Sequence, residues 1–131
     1  MDIDLTLSQD LIAKALEFAK HKEVEIAVAV VDNHGELVGF ARTDNVAKHA
    51  IVLAQNKAYT SARDRQKTSS LAQWARETHK GLSYWTDPKF TGIAGGVPIE
   101  VKGKVLGAMG VSGLAEADDE ALVVEVISAC C

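Results

Sequence analysis

The chain has 131 residues, of which 47% are hydrophobic and 24% are charged, close to the usage of ordinary globular domains. This length and composition predict one domain over residues 1–131 with a single core, and they exclude a disordered, collagen-like or disulfide-stapled chain. The 14 basic and 18 acidic residues give a net charge of -4, so neither nucleic acid nor an anionic membrane is an expected partner.

The two cysteines, Cys130 and Cys131, are adjacent at the end of the sequence, where they close no loop and form no spaced metal-binding pattern. The first residues are acidic where a secretory signal would be basic, and no apolar run approaches the roughly 20 residues of a membrane span. These features predict a soluble, cytoplasmic protein.

The first third of the chain predicts a helix and a β-hairpin. Apolar residues at helical spacing predict an amphipathic helix from about Ser8 to His21, with Ser8 as its cap. A valine-rich strand is expected over 26–31, a turn over 32–35 and a second strand over 36–42. The first strand is apolar on both faces, so helices are expected on both sides of the sheet.

Two further helices and a loop are expected in the middle of the chain. Asp44 is expected to cap a helix that ends near Arg63, and a shorter helix should pass through Leu71 and Trp74. Residues 78–90 lose the helical period and contain Gly81, Pro88, Tyr84 and Trp85, which predicts a long aromatic loop.

Glycines dominate the last part of the chain, where they indicate bends or a close approach of another group. A second hairpin is predicted from strands at 97–101 and 104–111, and a last helix should begin at Glu116 or Asp118. Seven of the ten glycines lie in this part: Gly92, Gly95, Gly96, Gly103, Gly107, Gly110 and Gly113.

The predicted order is helix, strand, strand, helix, helix, strand, strand, strand, helix. Consecutive strands joined by short turns pair antiparallel, so the sheet should be mainly antiparallel with helices packed against it. The predicted class is α+β.

The four histidines are the first candidates for metal ligation or proton transfer. His21 is expected at a helix end, where a cation favoured by the helix dipole is the simpler interpretation. His49 is expected near Asp44 at the start of the second helix, whereas His34 lies in a turn and His79 at the start of the aromatic loop.

Arg42 and Asp44 lie where the second strand leads into a helix. A helix N-terminus beside a guanidinium suits an anionic ligand group. Equally, Asp44 would only cap the helix and Arg42 would only pair with a neighbouring acid.

Lys57 and Tyr59 lie on the second predicted helix. A buried lysine there could act as a base or hold a carboxylate, although lysines more often extend from an apolar face to solvent. Trp74, Tyr84 and Trp85 could form the wall of a site for a flat ligand or anchor a subunit contact, and core packing would explain Trp74 equally well.

Four motifs, in the order Val30–Val38, Lys57–Thr60, Gly95–Ile99 and Val105–Gly113, resemble the GlcG/HbpS family. That family includes haem-binding and haem-degrading-type proteins and the C-terminal domain of PduO proteins. The resemblance implies a profilin-like, three-layer α/β/α fold with a five-stranded, mainly antiparallel sheet and helices on both faces. It also implies a homo-oligomer, with haem or iron bound at subunit interfaces in some members and genes among those of catabolic enzymes in others.

Two functional hypotheses follow. In the first, the protein binds haem or a similarly flat, carboxylate-bearing ligand in a pocket under the glycine-rich segment. The residues expected to take part are Arg42, Asp44, Lys57, Gly95, Gly96 and Trp85, with His21 or His49 as axial ligand. In the second, it is a catabolic enzyme acting on a small oxo or carboxylate compound.

In the enzyme hypothesis the Gly95 and Gly96 amides stabilise an oxyanion and Arg42 holds a carboxylate. Lys57, Tyr59 or His49 then serves as general acid or base. A third interpretation is a structural subunit whose glycines serve only tight sheet geometry.

Overall fold

The structure, a computed structural model, describes all of residues 1–131 as four α-helices, four strands and one short 3-10 helix. In chain order the elements are α1 (Leu5–Lys22), β1 (Ala27–Asp32), β2 (Leu37–Arg42), α2 (Ala50–Asp64), α3 (Thr68–Thr78), the 3-10 helix (Leu82–Trp85), β3 (Gly96–Val101), β4 (Lys104–Ser112) and α4 (Glu116–Cys130). None of the helices combines the length and apolar character that a bilayer span requires.

The four strands form one antiparallel sheet in the order β2-β1-β4-β3. The α+β class is therefore confirmed, but the expectation of a five-stranded sheet is wrong, because the sheet has four strands. Residues 91–95, which precede β3, lie outside it. Gly95 has φ +131°, a conformation that L side chains rarely adopt, so the chain turns there before β3 begins at Gly96.

Helix α1 begins four residues earlier than a Ser8 cap would place it. The Asp4 side chain accepts a hydrogen bond from the Leu7 backbone N–H and so caps the helix, whereas Ser8 is buried within it. The last turn carries Lys20, His21 and Lys22, as the macrodipole favours.

Helix α2 begins at Ala50, so the expectation that Asp44 caps it is wrong. The residues on either side of Asp44 instead form hydrogen bonds with the residues just before β1. Thr43 exchanges hydrogen bonds with the backbone of Ile26, and the Asn45 N–H donates to the Glu25 carboxylate. Asp44 therefore lies exposed in a turn ahead of the helix.

Both predicted hairpins are present. In the first turn the Asp32 carboxylate accepts hydrogen bonds from the backbone N–H groups of His34 and Glu36. In the second, Lys102 and Gly103 both have positive φ, the arrangement of a two-residue type I′ turn.

The sheet buries both of its faces against helices. Val28 and Val30 of β1 belong to the larger core cluster with α1 and α4, whereas Ala27 and Ala29 belong to a smaller cluster with α2. The alternation along β1 thus places helices on opposite sides, as the two-faced apolar strand predicts.

The layer between α2 and the sheet is built from small side chains. A Cβ at Gly110 would lie 2.2 Å from the Ala54 carbonyl oxygen, and one at Gly96 would lie 2.3 Å from the Lys57 carbonyl oxygen. The helix backbone therefore rests directly on the strands. On the helix side the contact is made by alanines four residues apart: Ala50, Ala54, Ala58 and Ala62.

This contact makes a substitution test possible. Gly110→Ala is expected to lower the free energy of unfolding by about 1–3 kcal/mol or more, because the new methyl group meets helix backbone that cannot rotate away. Gly81→Ala is the matched control, since its Cβ would have no heavy atom nearer than 3.8 Å. Chemical denaturation of both variants measures the difference, and equal stabilities would contradict the close packing.

Candidate functional site

The residues predicted to form one site lie in separate parts of the structure. Lys57, Gly95 and Gly96 meet at the buried contact between α2 and the sheet. Arg42 and Asp44 line a surface cavity, and Tyr59 and Trp85 belong to a row of aromatic side chains. His21 lies in the last turn of α1, and His49 immediately precedes α2.

Lys57 is completely buried and pairs with Asp119 in the first turn of α4. Its Nζ lies 3.0 Å from Asp119 Oδ2 and donates a second hydrogen bond of 2.9 Å to the Val111 carbonyl oxygen. The other Asp119 carboxylate oxygen accepts a hydrogen bond from the Leu114 backbone N–H. Both hydrogen-bond acceptors of the ammonium group are therefore groups of the protein itself.

Burial and pairing act in opposite directions on these two groups. Loss of water lowers the pKa of Lys57 and raises the pKa of Asp119, because in each case it disfavours the charged form. The attraction between the two groups opposes both shifts, so the ion pair depends on both partners being present.

Glycines lie next to this pair, at positions where a side chain would have no room. A Cβ at Gly95 would lie 2.8 Å from Lys57 Nζ and 3.0 Å from the Asp119 Cβ, and the Gly96 N–H donates to the Thr68 hydroxyl. Tight packing thus occupies the place where a pocket under the glycine-rich segment was expected, and Lys57 lines none of the five cavities that include those beside Arg42 and Trp85.

Asp119 was not singled out from the sequence, although a signal was present. It stands three, four and seven residues before Leu122, Val123 and Val126, all buried on α4. An acidic residue on an apolar helical stripe needs a buried partner, and Lys57 is the buried cation that provides one.

Arg42 and Asp44 lie together in a cavity of about 410 Å³ between the end of α1 and the end of β2. Lys20 supplies a second cation there, and Leu16 and Val24 supply apolar surface. Glu25 also lines it, but its carboxylate already accepts the Asn45 N–H. The cavity thus combines two cations, the two carboxylates of Glu25 and Asp44, and an aliphatic wall.

The histidines are all exposed, and no group of three or more His, Cys, Asp or Glu side chains is arranged to hold a metal ion. His21 follows Lys20, which lines the cavity beside Arg42, and precedes Lys22, which lines a neighbouring cavity. His21 is therefore the histidine nearest in sequence to the residues that line these two cavities.

Tyr59 is held at the surface of α2 by the loop before β3. Its hydroxyl donates a 2.6 Å hydrogen bond to Asp87, which raises the pKa of Tyr59 and lowers the pKa of Asp87. Arg63 and Lys89 each place their cationic group 5.1 Å from the centroid of the Tyr59 ring. Tyr59 thus anchors the loop as part of a local network.

Trp85 lies in the middle of the aromatic row. Its ring centroid is 5.4 Å from that of Trp74 and 5.7 Å from that of Phe90, which in turn lies 6.2 Å from Tyr59. The predicted aromatic loop therefore folds back onto α2 and α3, and Trp74 is half-buried as part of the row.

The buried pair predicts a large loss of stability when one member is removed. Lys57→Met is expected to lower the free energy of unfolding by about 3–5 kcal/mol, because Asp119 keeps its charge without a partner. Adding Asp119→Asn should recover part of that loss, since the amide oxygen can still accept the Leu114 N–H.

Lys14→Met is the control for this experiment, because Lys14 pairs with Glu17 at the surface and its loss should cost less than about 1 kcal/mol. Urea denaturation of the four proteins measures the differences. A double variant no more stable than Lys57→Met would contradict the view that an uncompensated charge causes the loss.

The Tyr59 hydrogen bond predicts a pH-dependent contribution. Tyr59→Phe is expected to cost about 1 kcal/mol at pH 7, at the low end for bonds to a charged group because both partners are partly exposed. In the native protein this contribution is complete above the ordinary pKa of Asp87 and below that of Tyr59, 3.8 and 10.0.

The contribution should disappear as the pH falls through the lowered pKa of Asp87 or rises through the raised pKa of Tyr59. Thermal unfolding of Tyr59→Phe across this range, with Tyr84→Phe as the exposed control, measures it. A constant difference at all pH values would contradict the assignment.

Residues 3–128 match the family model for haem degrading protein HbpS-like. Protein GlcG of Escherichia coli (strain K12) is 34% identical over 106 residues, which cover 81% of this chain and 78% of that protein. The match thus spans most of both proteins.

Two solved structures have the same fold. A crystal structure of a PduOC:heme complex superposes with a TM-score of 0.90 at 24% identity, covering 98% of this chain and 95% of that one. A crystal structure of HbpS gives 0.87 at 26% identity over 98% and 89% of the two chains. With the match over residues 3–128, these findings show that this chain belongs to the HbpS-like family.

Proposed function

We propose that this protein binds haem, or a similarly flat small molecule that carries carboxylates, in the cavity between α1 and β2. The observation that carries the proposal is that Lys20 and Arg42 line one cavity. Lys20 lies in the last turn of α1, where His21 is the next residue. Membership of a family named for haem degradation, and the fold shared with a haem complex, support the choice of ligand.

The residues present fit such a ligand. A volume of about 410 Å³ lies within the range of small-molecule sites, and Leu16 and Val24 provide apolar contact for a planar ring. Lys20 and Arg42 would pair with carboxylates, Arg42 with two parallel donors. An imidazole is the usual protein ligand of haem iron, so His21 would hold the iron, with His49 as the alternative.

The bound group would supply its iron for ligand binding or redox chemistry. This chain's own contribution is to bind and orient it: the cations fix the carboxylate edge, and the aliphatic side chains exclude water from one face. The cavity is open to solvent, so a second copy of the chain could cover the remaining face, and we infer a homo-oligomer on this ground.

The enzyme hypothesis has weaker support. Lys57 lines none of the larger cavities, and Gly96 uses its N–H within the fold. The Asp87 hydrogen bond moves the pKa of Tyr59 further above neutrality, where a general acid or base works less well. His49 is exposed and remains the only one of the three acid–base candidates without an assigned structural contact.

Titration of the purified protein with haem tests the proposal. A saturable Soret shift is expected, and His21→Ala should abolish the shift whereas His79→Ala, at the exposed end of α3, should leave it unchanged. Arg42→Gln should weaken binding about ten-fold through loss of a charge-assisted contact. A Soret spectrum that shows no saturable change with added protein would contradict haem binding.

Iron-free porphyrin separates the two ligand types. Equal affinity for it, with no effect of His21→Ala or His49→Ala, would show a carboxylate-bearing ligand held without iron coordination. Native mass spectrometry with and without haem measures the subunit number, and a monomer in both states would contradict the inferred oligomer.

A further inference from the structure

A second, smaller cavity lies between the end of α2, helix α3 and the aromatic loop. It has a volume of about 160 Å³ and shares no lining residue with the cavity beside Arg42. Its lining consists of Asp64, Gln66, Ser70, Leu71, Trp74 and Trp85. One carboxylate and two tryptophans therefore surround a space large enough for a small head group.

The two tryptophans form adjoining walls of this cavity. Their ring centroids are 5.4 Å apart and their planes meet at 64°, so the rings enclose a corner and do not stack flat. Phe90 packs against Trp85, and 38% of the surface of Trp85 remains exposed. Indole rings attract cations through their quadrupole more strongly than other aromatic side chains do.

Asp64 places a carboxylate in the same cavity without a cation of its own. It takes part in none of the ion pairs of the structure. Neither neighbouring arginine pairs with it: Arg63 donates to the His34 carbonyl oxygen, and Arg65 lines the adjacent cavity. Asp64 is also the last residue of α2, where the helix dipole favours a positive ligand.

The ionised form of Asp64 is unfavourable in this environment unless a positive group lies beside it. Burial raises the pKa of the Asp64 carboxyl, and no hydrogen bond or cation of the protein opposes that shift. A positive group in the cavity would stabilise the carboxylate and contact both indole rings at once.

We propose that the cavity formed by Asp64, Trp74 and Trp85 binds a small organic cation, of the quaternary or methylated ammonium class. An ammonium surrounded by methyl groups is weakly hydrated and matches aromatic walls with one carboxylate, whereas a metal ion would require several oxygen ligands. The site is independent of the proposed haem cavity, so either proposal can fail without the other.

Choline is a suitable probe, and the protein supplies its own signal. Trp74 and Trp85 are the only tryptophans of the chain, so all tryptophan fluorescence arises at this cavity. Choline is expected to change the emission with a saturable dependence on concentration. Asp64→Asn should weaken the affinity about ten-fold or more, and Trp85→Leu should weaken it while Trp74 still reports.

Glu77→Gln is the matched control, because this acid on α3 lies outside the cavity and should leave the affinity unchanged. Potassium chloride at equal ionic strength should give no saturable change, and the neutral isostere of choline, with carbon in place of nitrogen, should bind at least ten-fold more weakly. Equal binding of the isostere, or an unaffected Asp64→Asn variant, or no saturable signal, would each overturn the proposal.

Discussion

The structure depends on the ion pair between Lys57 and Asp119, which joins helices from opposite sides of the sheet. Lys57 comes from α2, in the layer that packs on the small-residue face, and Asp119 comes from α4, in the layer with the larger core. The two side chains meet beside Gly95, where a Cβ would lie 2.5 Å from the Val111 carbonyl oxygen and 2.8 Å from Lys57 Nζ. The pair thus needs a residue without a side chain at this position.

The same pair explains why the structure shows close packing, and not a pocket, around Lys57 under the glycine-rich segment. The α2 backbone rests on Gly96 and Gly110, so a long side chain at position 57 can extend only along the sheet towards Val111 and α4. Once an ammonium is placed there, removing it from water has to be offset by a carboxylate and a carbonyl oxygen. Lys57, Asp119 and Gly95 therefore form one closely packed structural unit.

Much of the fold could be predicted from local sequence patterns. Periodicity located all four helices and both hairpins, because each element carries its own apolar spacing and the turns carry their own chemistry, as at Asp32 and Gly103. The errors occurred where a residue serves a distant partner. Thr43 and Asn45 form hydrogen bonds to residues just before β1, so α2 begins after Asp44. The sheet also has four strands where five were expected.

The candidate site was less predictable for the same reason. The sequence identified Lys57, Gly95 and Gly96 as candidate site residues, and the structure brings these three together. They meet in close packing around the buried Lys57–Asp119 ion pair. Their partner Asp119 is 62 residues from Lys57, a separation that local spacing cannot reveal. Arg42 and Lys20 meet through the packing of α1 beside β2, and the Asp64 carboxylate meets Trp85 only because the aromatic loop folds back.

Both proposed binding sites lie at the ends of helices that the core holds in place. His21 and Lys20 belong to the last turn of α1, and Asp64 ends α2, a helix about 22 Å long that is fixed to the sheet by backbone contact. Such positions combine a rigid base with side chains that packing leaves unconstrained. Substitutions there can change the ligand without disturbing the Lys57–Asp119 pair, so one layered framework can support different binding functions.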